Sequence, residues 1–151
     1  MSSFPTVVLR MAPMSEEDDR INRRFLDRQI ARVEVLLQIF TYRRMSQEGQ
    51  MAPDVAQERE VAVRSSLERV EQESLHMLKE RNAGRIRLPI IDLFERYGLS
   101  PKEREIFVFS VVPHLDDAVR KSYARYNDNV LLDFPNVQFL TLLVGENRED
   151  A

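Results

Sequence analysis

Three polar residues in the second half of the chain, His114, Asp116 and Asp117, are the best candidates for chemistry. An imidazole beside two carboxylates can serve acid–base catalysis or metal binding. Catalysis would also need a nucleophile or an oxyanion-binding group, and a metal site would need further ligands, and the sequence offers none. An aspartate that caps a helix explains the same pattern. We therefore expect no catalytic and no metal-binding residue, and we expect that the chain is not an enzyme.

The glycines give no sign of a phosphate-binding loop. Such a loop reads GxxxxGKS or GxxxxGKT, because glycines let the backbone approach the phosphates and the lysine contacts them. The chain has four scattered glycines, none followed by such a lysine: Gly49, Gly84, Gly98 and Gly145. We therefore expect no cofactor in this chain.

Composition bounds the class of protein. Over 151 residues, 43% are hydrophobic and 31% are charged, which suits one ordinary domain, or a small one with an appendage, rich in charged helices. Cysteine is absent, which excludes disulfides and thiolate metal sites and favours a cytoplasmic location.

The longest apolar run, 106–112, is far shorter than the roughly 20 residues of a membrane-spanning helix, so no membrane insertion is expected. Residues 1–14 are interpreted as a flexible arm and 145–151 as a polar tail or linker.

Residues 15–82 have the pattern of a long antiparallel helical hairpin. Ser15 and Asp18 can form a capping box, and a short loop at 46–52 follows the first helix. Apolar residues recur at heptad spacing in both helices. The first seam is Leu26, Ile30, Val33, Leu37 and Phe40; the second is Ala56, Val63, Leu67, Val70, Ser74 and Met77.

Folding the hairpin about its loop predicts a register. It pairs Ile30 with Val70, Val33 with Leu67, and Leu37 with Val63. It also places Arg20 beside Glu80, Arg32 beside Glu68, and Arg28 near Glu71 and Glu73. The arginines at 20, 24, 28 and 32 form a ridge that resembles a nucleic-acid footprint, but acids on the partner helix favour ion pairing.

Three apolar residues of the first helix, Val35, Leu36 and Ile39, lie off its seam. Either the C-terminal part of the chain packs on them, or they are a surface for self-association or for a partner protein. The sequence leaves both open.

The sequence pattern of residues 85–144 predicts short helices that pack into a small domain. Ser100, Pro101 and Glu103 are the start of a capped helix, which is apolar on almost every side and is expected to end at Pro113. Asp116 or Asp117 can cap the next helix. A last helix is expected to begin near Pro135 and Asn136, with Val137, Leu140 and Leu143 or Val144 facing inward.

The order of motifs in this region resembles that of a known family. The motifs are Arg96-Tyr97-Gly98-Leu99-Ser100-Pro101, Glu103-Arg104, Pro113-His114-Leu115-Asp116, Tyr123-Ala124, Asn127-Asp128-Asn129-Val130 and Pro135-Asn136-Val137. Together they resemble the N-terminal winged-helix-variant domain of prokaryotic AAA-type ATPases. The resemblance implies a winged-helix-like domain at 85–144 with at most a minimal β-hairpin, its wing near Val130 to Leu132. With the helical hairpin at 15–82, the expected fold is mainly α. The resemblance also implies a noncatalytic module that recognises a substrate or adaptor or positions the motor, with ATP and magnesium needed only by a motor domain that this chain lacks.

Charge weighs against duplex DNA as the partner. Between Leu88 and Asp133 there are six basic and eight acidic residues, and DNA binding depends on neutralising phosphates. The expected wing is apolar, so we expect a protein partner, self-association and no nucleic acid. The candidate interface is Val35, Leu36, Ile39, Leu131, Leu132 and Phe134. The alternatives are a structural coiled-coil subunit of a larger assembly and a winged-helix DNA-binding regulator.

Overall fold

The computed structural model describes residues 14–146, and six α-helices account for most of them. They are α1 (Glu16–Gln47), α2 (Pro53–Asn82), α3 (Pro89–Arg96), α4 (Pro101–Leu115), α5 (Asp117–Asn127) and α6 (Val137–Glu146). Within this range no residue is in a β-strand. The prediction of a mainly α fold is confirmed. The segments 1–13 and 147–151, which include most of the predicted arm and tail, lie outside the described residues.

Helices α1 and α2 form the antiparallel hairpin. The predicted capping box at the start of α1 is present, because the Ser15 hydroxyl accepts from the Asp18 backbone and the Asp18 carboxylate accepts from the Ser15 backbone. Pro53 occupies the first turn of α2, where its missing N–H costs no hydrogen bond. All the buried residues of α2 belong to the predicted seam: Ala56, Leu67, Val70, Ser74 and Met77.

The polar contacts of the hairpin lie close to the predicted register but not on it. Arg28 forms an ion pair with Glu73, as expected. Arg32 contacts Glu71 rather than Glu68, and its stronger partner is Glu105 of α4, at 2.5 Å. The predicted register did not include α4, so it could not anticipate that contact.

A single hydrophobic core joins the hairpin to the C-terminal helices. Its buried members come from α1, from the end of α2, and from the chain between residues 88 and 143: Phe25, Val33, Leu37, Phe40, Met77, Leu88, Ile91, Phe94, Val108, Phe109, Val112, Val119, Tyr123, Phe139 and Leu143. The predicted boundary between residues 82 and 85 therefore does not separate two cores. A long helix with apolar residues on more than one face needs more cover than α2 gives, and α5 packs along α1.

Helix α4 begins as predicted and ends later than predicted. The Ser100 hydroxyl accepts from the Glu103 backbone, and the Glu103 carboxylate accepts from the Ser100 backbone. The hydrogen bonds to Ser100 lower the pKa of Glu103. Pro113 lies inside the helix, which continues to Leu115. The expectation that Pro113 ends α4 was therefore wrong.

The segment between α5 and α6 forms no wing of β-structure. Residues 128–136 make turns and bends, so the minimal β-hairpin that the resemblance allowed near Val130 to Leu132 is not formed. Asn136 caps α6 by accepting from the Phe139 backbone at 2.8 Å. The face of α6 that packs inward carries Phe139 and Leu143, whereas Val137, which was expected to face inward, is 80% exposed.

Candidate protein-interaction site

The chain between α5 and α6 folds into a hydrogen-bonded loop. Asp128 ends α5 in the left-handed conformation, with φ 51°, which aspartate tolerates better than most residues. The backbone N–H of Asn129 donates to the Ala124 carbonyl at 3.0 Å, and the Asn129 side chain accepts from the Leu131 backbone at 2.9 Å. The Asn127 side-chain amide donates to the Leu132 carbonyl at 2.7 Å. These polar contacts fix the backbone and leave the apolar side chains of the loop facing out.

We call these exposed side chains the loop patch: Val130, Leu131, Leu132, Phe134 and Val137. Val130 and Leu131 are 85% and 84% exposed. Scattered exposed apolar residues are ordinary, but five of them within eight positions are not. A patch of this kind is typical of a surface that binds another protein.

Contacts with α4 and α5 support one side of the loop patch. Asp133 accepts hydrogen bonds from Arg120, the shorter at 2.8 Å, and this pairing raises the pKa of Arg120. The Arg120 guanidinium lies 5.4 Å from the centre of the Phe134 ring, and the His114 ring lies 5.0 Å from it. Phe134 is therefore held by neighbours, whereas Leu131 extends into solvent.

The polar trio of the sequence takes part in local structural contacts. Asp116 caps α5 by accepting from the Val119 backbone at 3.0 Å. Asp117 faces solvent and approaches Arg120 at 3.4 Å. His114 packs against Phe134. Among residues 14–146 no group of three or more histidines or acids could hold a metal ion.

The candidate residues on α1 are not an open surface. Ile39 is only 2% exposed, and Leu36 packs against the common core. Val35 is partly buried. Leu36 is therefore partly covered by the common core, which favours the packing explanation over an open surface for this residue. The burial of Ile39 removes it from the candidate interface.

The arginine ridge of α1 divides into two parts. Arg28 and Arg32 form ion pairs with Glu73, Glu71 and Glu105, so much of their charge is offset within the molecule. Arg20 and Arg24 face solvent near the start of α1. The ridge as a whole is therefore not a continuous cationic face.

A family model for the winged helix domain, variant, matches residues 17–151. The chain belongs to this family. The match includes both the hairpin and the C-terminal helices, in agreement with their common core. No curated protein and no solved structure matches the chain.

Within the part of the chain that the structure describes, no helix combines the length and the apolar character needed to cross a bilayer.

Proposed function

We propose that this winged helix variant is a noncatalytic protein-interaction module, the N-terminal domain of an AAA-type ATPase that acts in the cytoplasm. In this role it recognises a substrate or an adaptor, or it positions the motor. The proposal is supported by the resemblance of residues 88–144 to such domains and by membership of the winged helix variant family. ATP and magnesium belong to the motor and not to this chain.

The observation that carries the interaction role is the loop patch. A DNA-binding winged helix uses this region to contact phosphates and needs cations there. In this chain the loop instead presents Val130, Leu131 and Leu132, and its acid Asp133 is paired with Arg120. Because hydrogen bonds already order the backbone of this loop, a partner that covers its apolar side chains has little backbone freedom left to restrict, which favours protein binding.

A DNA-binding role is the second candidate, because α5 exposes Lys121 and Arg125. In a winged helix the helix before the wing is the one that enters the major groove. Two neighbouring acids, Asp117 and Asp128, are also exposed and lower the local positive potential. Two cations on one helix are fewer than a stable complex with duplex DNA usually needs. A structural coiled-coil subunit is the third candidate, supported by the length of the hairpin.

Site-specific photocrosslinking tests the interaction role. A photoreactive amino acid at Leu131 should crosslink to a protein in the cells that make this chain, and an excess of unmodified chain should compete with the crosslink. The matched control is the same group at Val61, which is 61% exposed on α2 and lies outside the loop patch. Equal crosslinking at both positions, or crosslinking to nucleic acid from Leu131, would contradict the proposal.

Two further measurements test the link to an AAA-type motor. The crosslinked complex should contain a protein with a GxxxxGKS or GxxxxGKT motif, either in the same polypeptide as this domain or associated with it. The purified chain should give no heat of binding with MgATP in calorimetry and no phosphate release. ATP turnover by the purified chain would overturn the noncatalytic assignment without touching the interaction role.

A further inference from the structure

A concave surface, separate from the loop patch, lies between the hairpin and the helices α3 and α4. It has a volume of about 410 Å³, within the usual range for ligand-binding pockets. We call it the hairpin groove. Its apolar lining comes from all four helices and includes Phe25, Leu75, Leu78, Ile90, Phe94 and Val108. None of its lining residues belongs to the loop patch.

The base of the hairpin groove is part of the core. Phe25, Phe94 and Val108 are buried members of the core cluster, and Leu78 and Ile90 pack against it. Core side chains normally interdigitate without large gaps, so an open apolar groove beside them forgoes packing contacts. An apolar guest would restore those contacts and remove the exposed side chain of Leu75 from water.

The charges at the groove favour one kind of guest. The cations that line it are already engaged by the chain itself: Arg32 contacts Glu105 at 2.5 Å, and Arg104 donates to the Leu99 carbonyl at 3.0 Å while its guanidinium lies against the Phe94 ring. Glu71 has only a long 3.7 Å contact with Arg32, and 51% of its side chain is exposed. The lining charge that is most available to a partner is therefore negative.

We propose that the hairpin groove is a docking site for a short apolar segment of a partner protein that carries a lysine or arginine beside its apolar residues. The apolar side chains of that segment fill the space over Phe94, Leu78 and Leu75. Its basic residue pairs with Glu71. This site is separate from the loop patch and does not depend on the link to AAA-type ATPases.

Binding of a designed peptide to the whole chain tests the proposal. The probe is a fluorescent synthetic peptide with leucines at helical spacing, flanked by lysines. A second probe has the same leucines and glutamates in place of the lysines. Fluorescence anisotropy should show binding of the lysine probe, with affinity that falls as salt is added, and about tenfold weaker binding of the glutamate probe.

Substitutions on the exposed face of α2 locate the binding site. Leu75→Gln should weaken binding of the lysine probe by about tenfold, because the variant replaces an apolar contact with an amide that needs water. Leu75 is already half exposed, so the variant should remain folded. The matched control is Val61→Gln, at another exposed position of α2 that lies outside the groove, and this variant should bind the lysine probe as the unmodified chain does.

Glu71→Gln tests the charge. It should reduce the preference for the lysine probe over the glutamate probe and flatten the salt dependence. Glu68→Gln, one turn earlier on α2 and not part of the lining, is the control and should leave both unchanged. If Glu71→Gln and Glu68→Gln reduced the preference for the lysine probe equally, the net charge of α2 rather than this site would set that preference. This result would overturn the proposal.

Two other outcomes would also overturn it. Binding that is unaffected by Leu75→Gln would place the probe elsewhere. Concentration-dependent dimerisation that the lysine probe reverses, and that Leu75→Gln abolishes, would identify a second copy of this chain as the occupant. Sedimentation velocity measures that association directly.

Discussion

The Tyr123 hydroxyl donates a 2.9 Å hydrogen bond to the backbone carbonyl of Phe109, and both side chains are fully buried. In an uninterrupted helix that carbonyl would accept from the N–H four residues later. In α4 the residue at that position is Pro113, which has no N–H to donate. Tyr123 of α5 therefore supplies the donor that Pro113 removes, and the same hydrogen bond ties α5 to α4.

The variant Tyr123→Phe tests this relationship. It keeps the ring and removes only the donor, so the Phe109 carbonyl is left buried without this partner, which should cost about 1 to 3 kcal/mol of unfolding free energy. Urea denaturation followed by circular dichroism measures the loss. The control is Tyr97→Phe, at an exposed position, which should change stability little. Equal effects in the two variants would show that the buried hydrogen bond adds nothing.

Because Tyr123 is buried, we also expect the protein to lose stability at alkaline pH. Burial raises the pKa of Tyr123 well above its ordinary value. A phenol ionises near pH 10 in an unfolded chain, so below that pH the folded and unfolded states hold the same proton. Above it the unfolded state loses the proton first, and stability should fall by up to about 1.4 kcal/mol per pH unit. Tyr123→Phe should be less sensitive between pH 10 and 11 than the unmodified chain. If the stability of both proteins fell equally between pH 10 and 11, the ionisation of Tyr123 would make no contribution to the loss.

Shortening a buried side chain in the seam of the hairpin should also lower the stability of the protein. Leu67 is buried at the α1–α2 interface, so Leu67→Ala should cost about 2 to 4 kcal/mol through lost transfer energy and an unfilled cavity. Val61→Ala on the same helix is the control, because Val61 is exposed. Thermal unfolding of both variants checks the expectation. A stability change no larger than that of the control would mean that the seam is not tightly packed.

The hairpin was predictable because heptad spacing and caps are local signals. Ser15, Asp18 and the seam residues of α2 specify helix starts and buried faces without reference to the rest of the chain. The contact of Arg32 with Glu105 was not predictable in the same way. It joins residues 73 positions apart, and their proximity depends on how α4 packs against the hairpin.

The inward face of α6 was not predictable from periodicity. The sequence from Val137 to Val144 is apolar at most positions, so it does not select one face. The structure selects Phe139, whose ring lies 5.7 Å from Phe40, 5.4 Å from Tyr123 and 5.1 Å from Tyr126. The same ambiguity put Val137 in the predicted core. The apolar loop was identified from its residues, but whether it formed a strand depended on hydrogen bonds made by Asn127 and Asn129.

Duplex DNA should bind weakly to this chain. The exposed cations of α5, Lys121 and Arg125, lie beside the exposed acids Asp117 and Asp128, so few phosphates can be neutralised. Gel-shift or anisotropy titration at physiological salt should give a dissociation constant in the micromolar range or weaker, without preference between sequences. A submicromolar complex that survives at that salt and is lost in Lys121→Gln would instead favour the DNA-binding role.

Polar substitutions in the loop patch should weaken binding of a partner without changing the fold. In the double variant Leu131→Ser with Leu132→Ser, helix content and unfolding free energy should be nearly unchanged, because both side chains are exposed and neither belongs to the core. The hydrogen bonds of the loop use the backbone of these residues, so the loop itself should persist. Circular dichroism and urea denaturation check this part.

The same double variant should bind its partner more weakly, because the apolar area that the partner covers is lost. The crosslink from position 131 cannot be used in this variant, so the readout is self-association by sedimentation and co-purification with the partner identified by that crosslink. The control is the double variant Val55→Ser with Val61→Ser, which removes two exposed apolar residues from α2 instead. If the loop variant unfolds, these residues are part of the core; if both double variants bind equally well, the interaction surface lies elsewhere on the chain.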